Sequence, residues 1–225
     1  MTEQRIHLHP ADEGLAASRD LLRRYDAGID SRDLLDPEEA AELRRGLATL
    51  ESLDRQYGGA AALPLEGTED LVSSVMSPLA RLGDPDLVIG VALWALRHGV
   101  EIAVPEPVVN ALAERSNRAR ARAELGAVFS LMQAVIDNVR DRLGADLERS
   151  NPERPWRVLH ANLAITAIRT EDPALMDAAF DALDAALPDE RATFYTEALA
   201  LALAPGIAAS VRETLEERHR RWAAR

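Results

Sequence analysis

Nine arginines carry the residue types and spacing best suited to recognition in this chain: Arg115, Arg118, Arg120, Arg122, Arg140, Arg142, Arg149, Arg154 and Arg157. A guanidinium is a planar fork that binds carboxylate or phosphate with paired N–H groups. Arg115, Arg118 and Arg122 recur at steps of three and four, which places them on one face of a helix, and Arg120 lies off that line. Residues 118–157 hold six acids and eight arginines, so this stretch is net positive in a chain of formal charge −12. Such a row can grip an acidic protein surface, grip a nucleic-acid backbone, or pair with the chain's own 38 acids. Trp156 is the one aromatic within the cluster able to stack on a base.

Other chemistry-bearing residues are sparse. His7 and His9 would project from one side of an extended arm, as in a metal clip, without a third ligand in view. Glu216 and His219 have the Glu-x-x-His spacing of di-iron bundles, which use two such pairs, and a second pair is lacking. His98 suits the negative end of a helix dipole, and His160 the polar edge of a core. Asp177, Asp181 and Asp184 line one helix face at steps of four and three. Their expected role is a solvated face, the alternative a cation or basic partner. There is no phosphate-binding glycine loop, nucleophile elbow, His-Glu-x-x-His or dinucleotide fingerprint. No catalytic residue, metal or cofactor is therefore assigned.

The elements that must position these residues are helices. Hydrophobic residues make up 47% of the 225 but aromatics only 4%. Alanine and leucine dominate the apolar set, and both lead the helix scale, whereas strands favour β-branched and aromatic residues. Cysteine is absent, which excludes disulfides and thiolate sites. All 26 basic residues are arginine, a usage that fits a GC-rich genome rich also in alanine codons. Met1 to Pro10 lacks a signal-peptide pattern, and no apolar run is long enough to span a bilayer. The expectation is a bacterial, cytoplasmic protein.

The longest amphipathic stretch is Ala121–Leu147, where Leu125, Phe129, Met132, Ile136, Val139 and Leu143 form one stripe with Val128 and Val135 beside it. It is expected to be the central helix. Asp36-Pro37-Glu38-Glu39 is a strong helix start, with a side-chain cap, proline at the first position and acids at the positive dipole end. Helices are also expected over Asp12–Tyr25, from Thr68 through a kink at Pro78, over Leu87–His98, and from Pro105 to a break at Ser116-Asn117. Further helices follow Pro155, Pro173 and Pro188, with a last one carrying Val211, Leu215 and Trp222 inward. Val100–Val104 has strand-like composition but no partner strand, and is expected to be a loop. The linker between Gly58 and Thr68 suggests an N-terminal arm and hairpin (residues 1–62) and a main helical domain (residues 63–225).

Leu82-Gly83-Asp84-Pro85-Asp86-Leu87 and Glu171-Asp172-Pro173-Ala174-Leu175 each open an apolar helix that is preceded by one helix and followed by two more. The pattern resembles HEAT-like helical repeats over about 30 residues in each of two places. The resemblance implies antiparallel helices stacking into a short superhelix. The fold class expected is all-α, either an antiparallel bundle or such a superhelix, of about nine to ten helices. The expected function is a non-enzymatic adaptor or scaffold that binds another protein through helix faces. One alternative is a helical subunit of a nucleoprotein complex touching phosphate through the arginines of 115–157. Another is an enzyme or metalloprotein whose site joins distant residues, such as His160 with acids from other helices.

Overall fold

The computed structural model describes residues 19–20, 23–24, 34–57, 66–203 and 206–223. Among them the chain is all-α, with nine delimited helices and no strand: α1 (Pro37–Tyr57), α2 (Thr68–Arg81), α3 (Pro85–Arg97), α4 (Glu106–Arg118), α5 (Arg122–Leu143), α6 (Pro155–Thr170), α7 (Pro173–Ala186), α8 (Arg191–Ala202) and α9 (Ala209–Ala223). The helix expected over Asp12–Tyr25 lies outside the described residues except for 19–20 and 23–24, which are helical. His7 and His9 also lie outside them, as does most of the expected 58–68 linker.

Two compact units divide the chain. One contains α1–α4 together with Asp137–Arg142; the other contains Ala119–Ile136 and the segment from Leu143 onward. The helix α5 thus contributes residues to both. Of the expected stripe Leu125, Val128, Phe129, Met132, Val135, Ile136 and Val139 are buried, Leu143 is only half-buried, and Leu131 is added. The helix stops at Leu143, short of the expected Leu147, whose side chain is exposed.

In the first unit α1 packs on α2, and α2 on both α3 and α4. The close approach of α1 to α2 is made at Gly46, where an added Cβ would lie 2.5 Å from Val75 Cγ2. Asp36 caps α1 by accepting from the Glu38 and Glu39 amides, while Glu39 accepts from the Asp36 amide, a reciprocal capping box. The helix α2 runs through Pro78 to Arg81. Nine residues of α3 are buried, as its all-round apolar sequence requires. Gly99 ends α3 at φ 63°, a left-handed conformation that suits glycine. The segment after it is irregular, as expected, but it does find a strand-like partner: the Asn138 side chain accepts from the Ile102 amide at 2.9 Å and donates to the Val100 carbonyl at 3.0 Å. The helix α4 continues through Ser116 and Asn117 to Arg118, one turn further than expected.

In the second unit α6 packs on α7, α8 on α9, and α9 on α7. Asp172 caps α7 through the Ala174 and Leu175 amides, just as Asp84 caps α3 through the Asp86 amide. Both Asp-Pro motifs therefore do the same local work. Phe180 and Tyr195 meet edge to face at 5.4 Å between α7 and α8, inside a core that includes Met176, Leu183, Val211 and Leu215.

Candidate protein-binding groove

The nine arginines are distributed over both units, Arg115, Arg118, Arg140 and Arg142 in the first and Arg120, Arg122, Arg149, Arg154 and Arg157 in the second. Eight of them have a carboxylate of this chain within 3.5 Å. Arg115 faces Asp86, Arg118 faces Glu114, Arg122 faces Glu171, and Arg140 faces Asp137. Arg142 binds Glu101 at 2.5 Å with Glu69 further off. Burial works against its charge, but the Glu101 hydrogen bond dominates and raises its pKa. Arg120 is the ninth, and its backbone amide donates to Glu124 at the start of α5.

Arg149, Arg154 and Arg157 are brought together around Asp146, Asp189 and Glu190. Arg154 is buried and commits all five of its N–H donors. Nε and Nη2 hold Asp146 at 2.6 and 3.1 Å, Nη2 also reaches Glu190 at 2.5 Å, and Nη1 meets the carbonyls of Arg149 and Asn151. Asp146 accepts this grip from a left-handed backbone at φ 45°. For Glu190, burial pushes the carboxyl pKa up, yet hydrogen bonds from Arg157 and Arg154 outweigh it and the net shift is downward. The network fastens the turn after α5 to the start of α8.

A second polar cluster lies on α7 and α9. Asp177 and Asp181 lie on the expected solvated face, 63% and 71% accessible, whereas Asp184 is largely covered, and all three converge on Arg218 of α9 at 3.3, 2.7 and 3.1 Å. Asp184 further accepts from Tyr195 Oη and Trp222 Nε1, each at 2.9 Å, and Arg191 stacks on the Trp222 ring. The ladder is thus a clasp for the last helix, with the basic partner supplied by the chain itself. Burial lowers the Arg218 pKa, but the Asp181 hydrogen bond and charge more than reverse this. Burial and the Asp184 charge raise that of the Tyr195 phenol.

His98 and His160 have packing roles. His98 is fully buried at the end of α3, its ring tilted 47° against that of Trp94 at 4.6 Å, with Nε2 2.9 Å from Asp54. His160 is buried edge-on to Trp156 at 4.5 Å. Among the described residues no group of three His, Asp or Glu side chains is arranged to hold a metal ion. No described helix is long and apolar enough to cross a membrane.

What sequence reading missed is an apolar groove in the second unit, formed by α6, α8 and Ile207. It encloses about 430 Å³, with Ala161, Ile165, Ile168, Phe194, Leu201 and Ile207 as its main apolar lining. The lining residues of α6 recur as 157, 161, 165, 168 and those of α8 as 194, 197, 198, 201, the periodicity of one face of each helix. The wall is exposed: Ile165 is 43% accessible, Leu201 75%, and Leu203 just beyond it 65%. A smaller cavity of about 160 Å³ with mixed lining shares Arg157, Ala161, Phe194 and Glu197, and adds Leu183, Leu187, Asp189, Glu190 and Thr193. The two share these four residues as a common wall, and the carboxylates that the smaller one adds are held by Arg149, Arg154 and Arg157. No protein-family model, curated protein or solved structure matches this chain.

Proposed function

We propose that this protein is a non-enzymatic adaptor or scaffold that binds another protein through helix faces, and that the groove between α6 and α8 is the binding face. The observation that carries this reading is the accessible apolar wall of Ile165, Leu201 and Leu203 beside a concave apolar floor. Leaving such surface in water is unfavourable by about 25 cal/mol per Å², and contiguous apolar patches on soluble domains mark interaction sites. The wall from Arg157 to Arg169 extends about 18 Å at 1.5 Å per residue, a match for three turns of an incoming helix. The internal pairing of the arginines supports the same choice, since their charge is largely spent within the fold. The HEAT-like resemblance, with its Asp-Pro caps at α3 and α7, adds the expectation of stacked helices that present long faces.

The test is comparative capture from a native-host extract, using wild-type protein and the Ile165→Glu/Leu201→Glu variant. A partner retained by the wild type and lost by a variant of unchanged circular dichroism is the expected result. An identical set of captured proteins overturns the assignment of the groove.

A further inference from the structure

Glu197 stands in the wall common to the two cavities, is exposed, and has no ion-pair or hydrogen-bond partner among the described residues. Its surroundings make that notable. Arg157, on the opposite wall, is held by Glu190 and by the Pro152 carbonyl, and Arg169 donates to the Ala119 carbonyl. Asp189, in the smaller cavity, is held by Arg149. Glu197 is therefore the carboxylate of the groove whose charge no neighbour answers, and it lies one turn before Leu201 on the same face of α8.

We propose that the occupant of the α6–α8 groove is an amphipathic helix of a partner protein that lays an apolar stripe on Ile165, Ile168, Phe194 and Leu201 and presents a lysine or arginine to Glu197. The inference rests on the adaptor reading and specifies its partner. Three features make the charge choice. A cation beside Glu197 gains an ion pair on a wall partly screened from water by the docked helix, where the effective dielectric falls below that of bulk solvent. An anion there meets an unanswered carboxylate, while Asp189 and Glu190 are already answered by Arg149, Arg154 and Arg157. The net charge of −12 also steers basic segments toward the chain and repels acidic ones.

The experiment uses the full chain and three labelled 18-residue helical peptides with the same leucine stripe, whose polar positions are lysine, glutamine or glutamate. Binding is read by fluorescence anisotropy at physiological salt. The leucine-lysine peptide is expected to bind saturably and most tightly. Leu201→Glu is expected to weaken it at least about tenfold, because one buried leucine contact is lost. That direction is diagnostic: the variant is more acidic, so diffuse attraction to an acidic surface would instead strengthen. Glu197→Gln is expected to weaken it about threefold, and Glu197→Arg to transfer the preference to the leucine-glutamate peptide. Equal binding of the lysine and glutamine peptides, sensitive to Leu201→Glu but not to Glu197→Gln, overturns the basic partner while leaving the adaptor reading intact. Binding unaffected by Leu201→Glu, or no binding of any peptide, overturns the groove as a helix site. A concentration-dependent dimer in sedimentation that Leu201→Glu abolishes overturns the proposal in favour of a second copy as occupant.

Discussion

At the scale of single residues, Arg218 shows how far charge spacing can be read. The Asp177, Asp181 and Asp184 ladder was visible in the sequence, but Arg218 lies between 34 and 41 residues away and nothing local points to it. A face that looks solvated in isolation becomes a clasp only when α9 is laid on it. Removing Arg218 leaves three carboxylates, one of them well buried, facing each other without a cation. Arg218→Leu is expected to cost about 2 to 4 kcal/mol, below the full range for a buried pair because Asp177 and Asp181 reach solvent. Arg218→Lys is expected to recover part of that, since an ammonium cannot fork between two carboxylates. Urea unfolding of the three proteins measures both, and equal midpoints for wild type and Arg218→Leu would refute the clasp. Glu190 gives a pH dependence whose sign follows from its lowered pKa. Its contribution is complete above the unfolded value of about 4.3 and disappears as pH falls through the folded value. Glu190→Gln is expected to lower stability at neutral pH and to flatten the loss between pH 5 and 3, as read from thermal melts across that interval.

Helices are the level at which the sequence was most legible. The all-α class follows from alanine and leucine content, and each Asp-Pro start predicted a cap that Asp36, Asp84 and Asp172 supply. Caps are local, needing only residues three positions apart, so they survive without tertiary information. Asp172→Ala is expected to destabilise by about 1 kcal/mol in urea unfolding, with Asp172→Asn nearly neutral. Helix ends set by packing were harder. The chain leaves α5 at Leu143 although the apolar period continues, because Asp146 must turn back to Arg154. Gly46 was equally silent: a glycine inside a helix reads as a weak point worth about 1 kcal/mol relative to alanine. Its cause is the Val75 methyl on α2, so Gly46→Ala is expected to destabilise despite better helix propensity. Adding Val75→Ala to Gly46→Ala should recover stability relative to the single Val75→Ala change, a comparison that calorimetry of the four proteins makes directly.

For the whole molecule, the amphipathic stripe of α5 was readable because burial repeats along one helix, whereas the groove was not. Its walls come from α6 and α8, and each helix alone has an ordinary pattern; the run Ala198–Ala204 even alternates two residues that both form helices well. Only the arrangement of the two helices, with Leu201 and Ile165 left uncovered, distinguishes a docking face from a core face. That distinction has a thermodynamic signature. A leucine already in water contributes little to folding, so Leu201→Glu should shift the melting temperature by no more than about 2 °C, the residual cost being repulsion from Glu197 one turn away. Phe180, fully buried in the same unit, should behave oppositely, with Phe180→Ala costing about 3 to 5 kcal/mol. If Leu201→Glu instead destabilises on the scale of Phe180→Ala, the wall is covered by part of this chain and is no free surface. If its melting is unchanged while peptide binding is lost, folding and recognition reside on separate faces of the α6–α9 unit, as a dedicated interaction module requires.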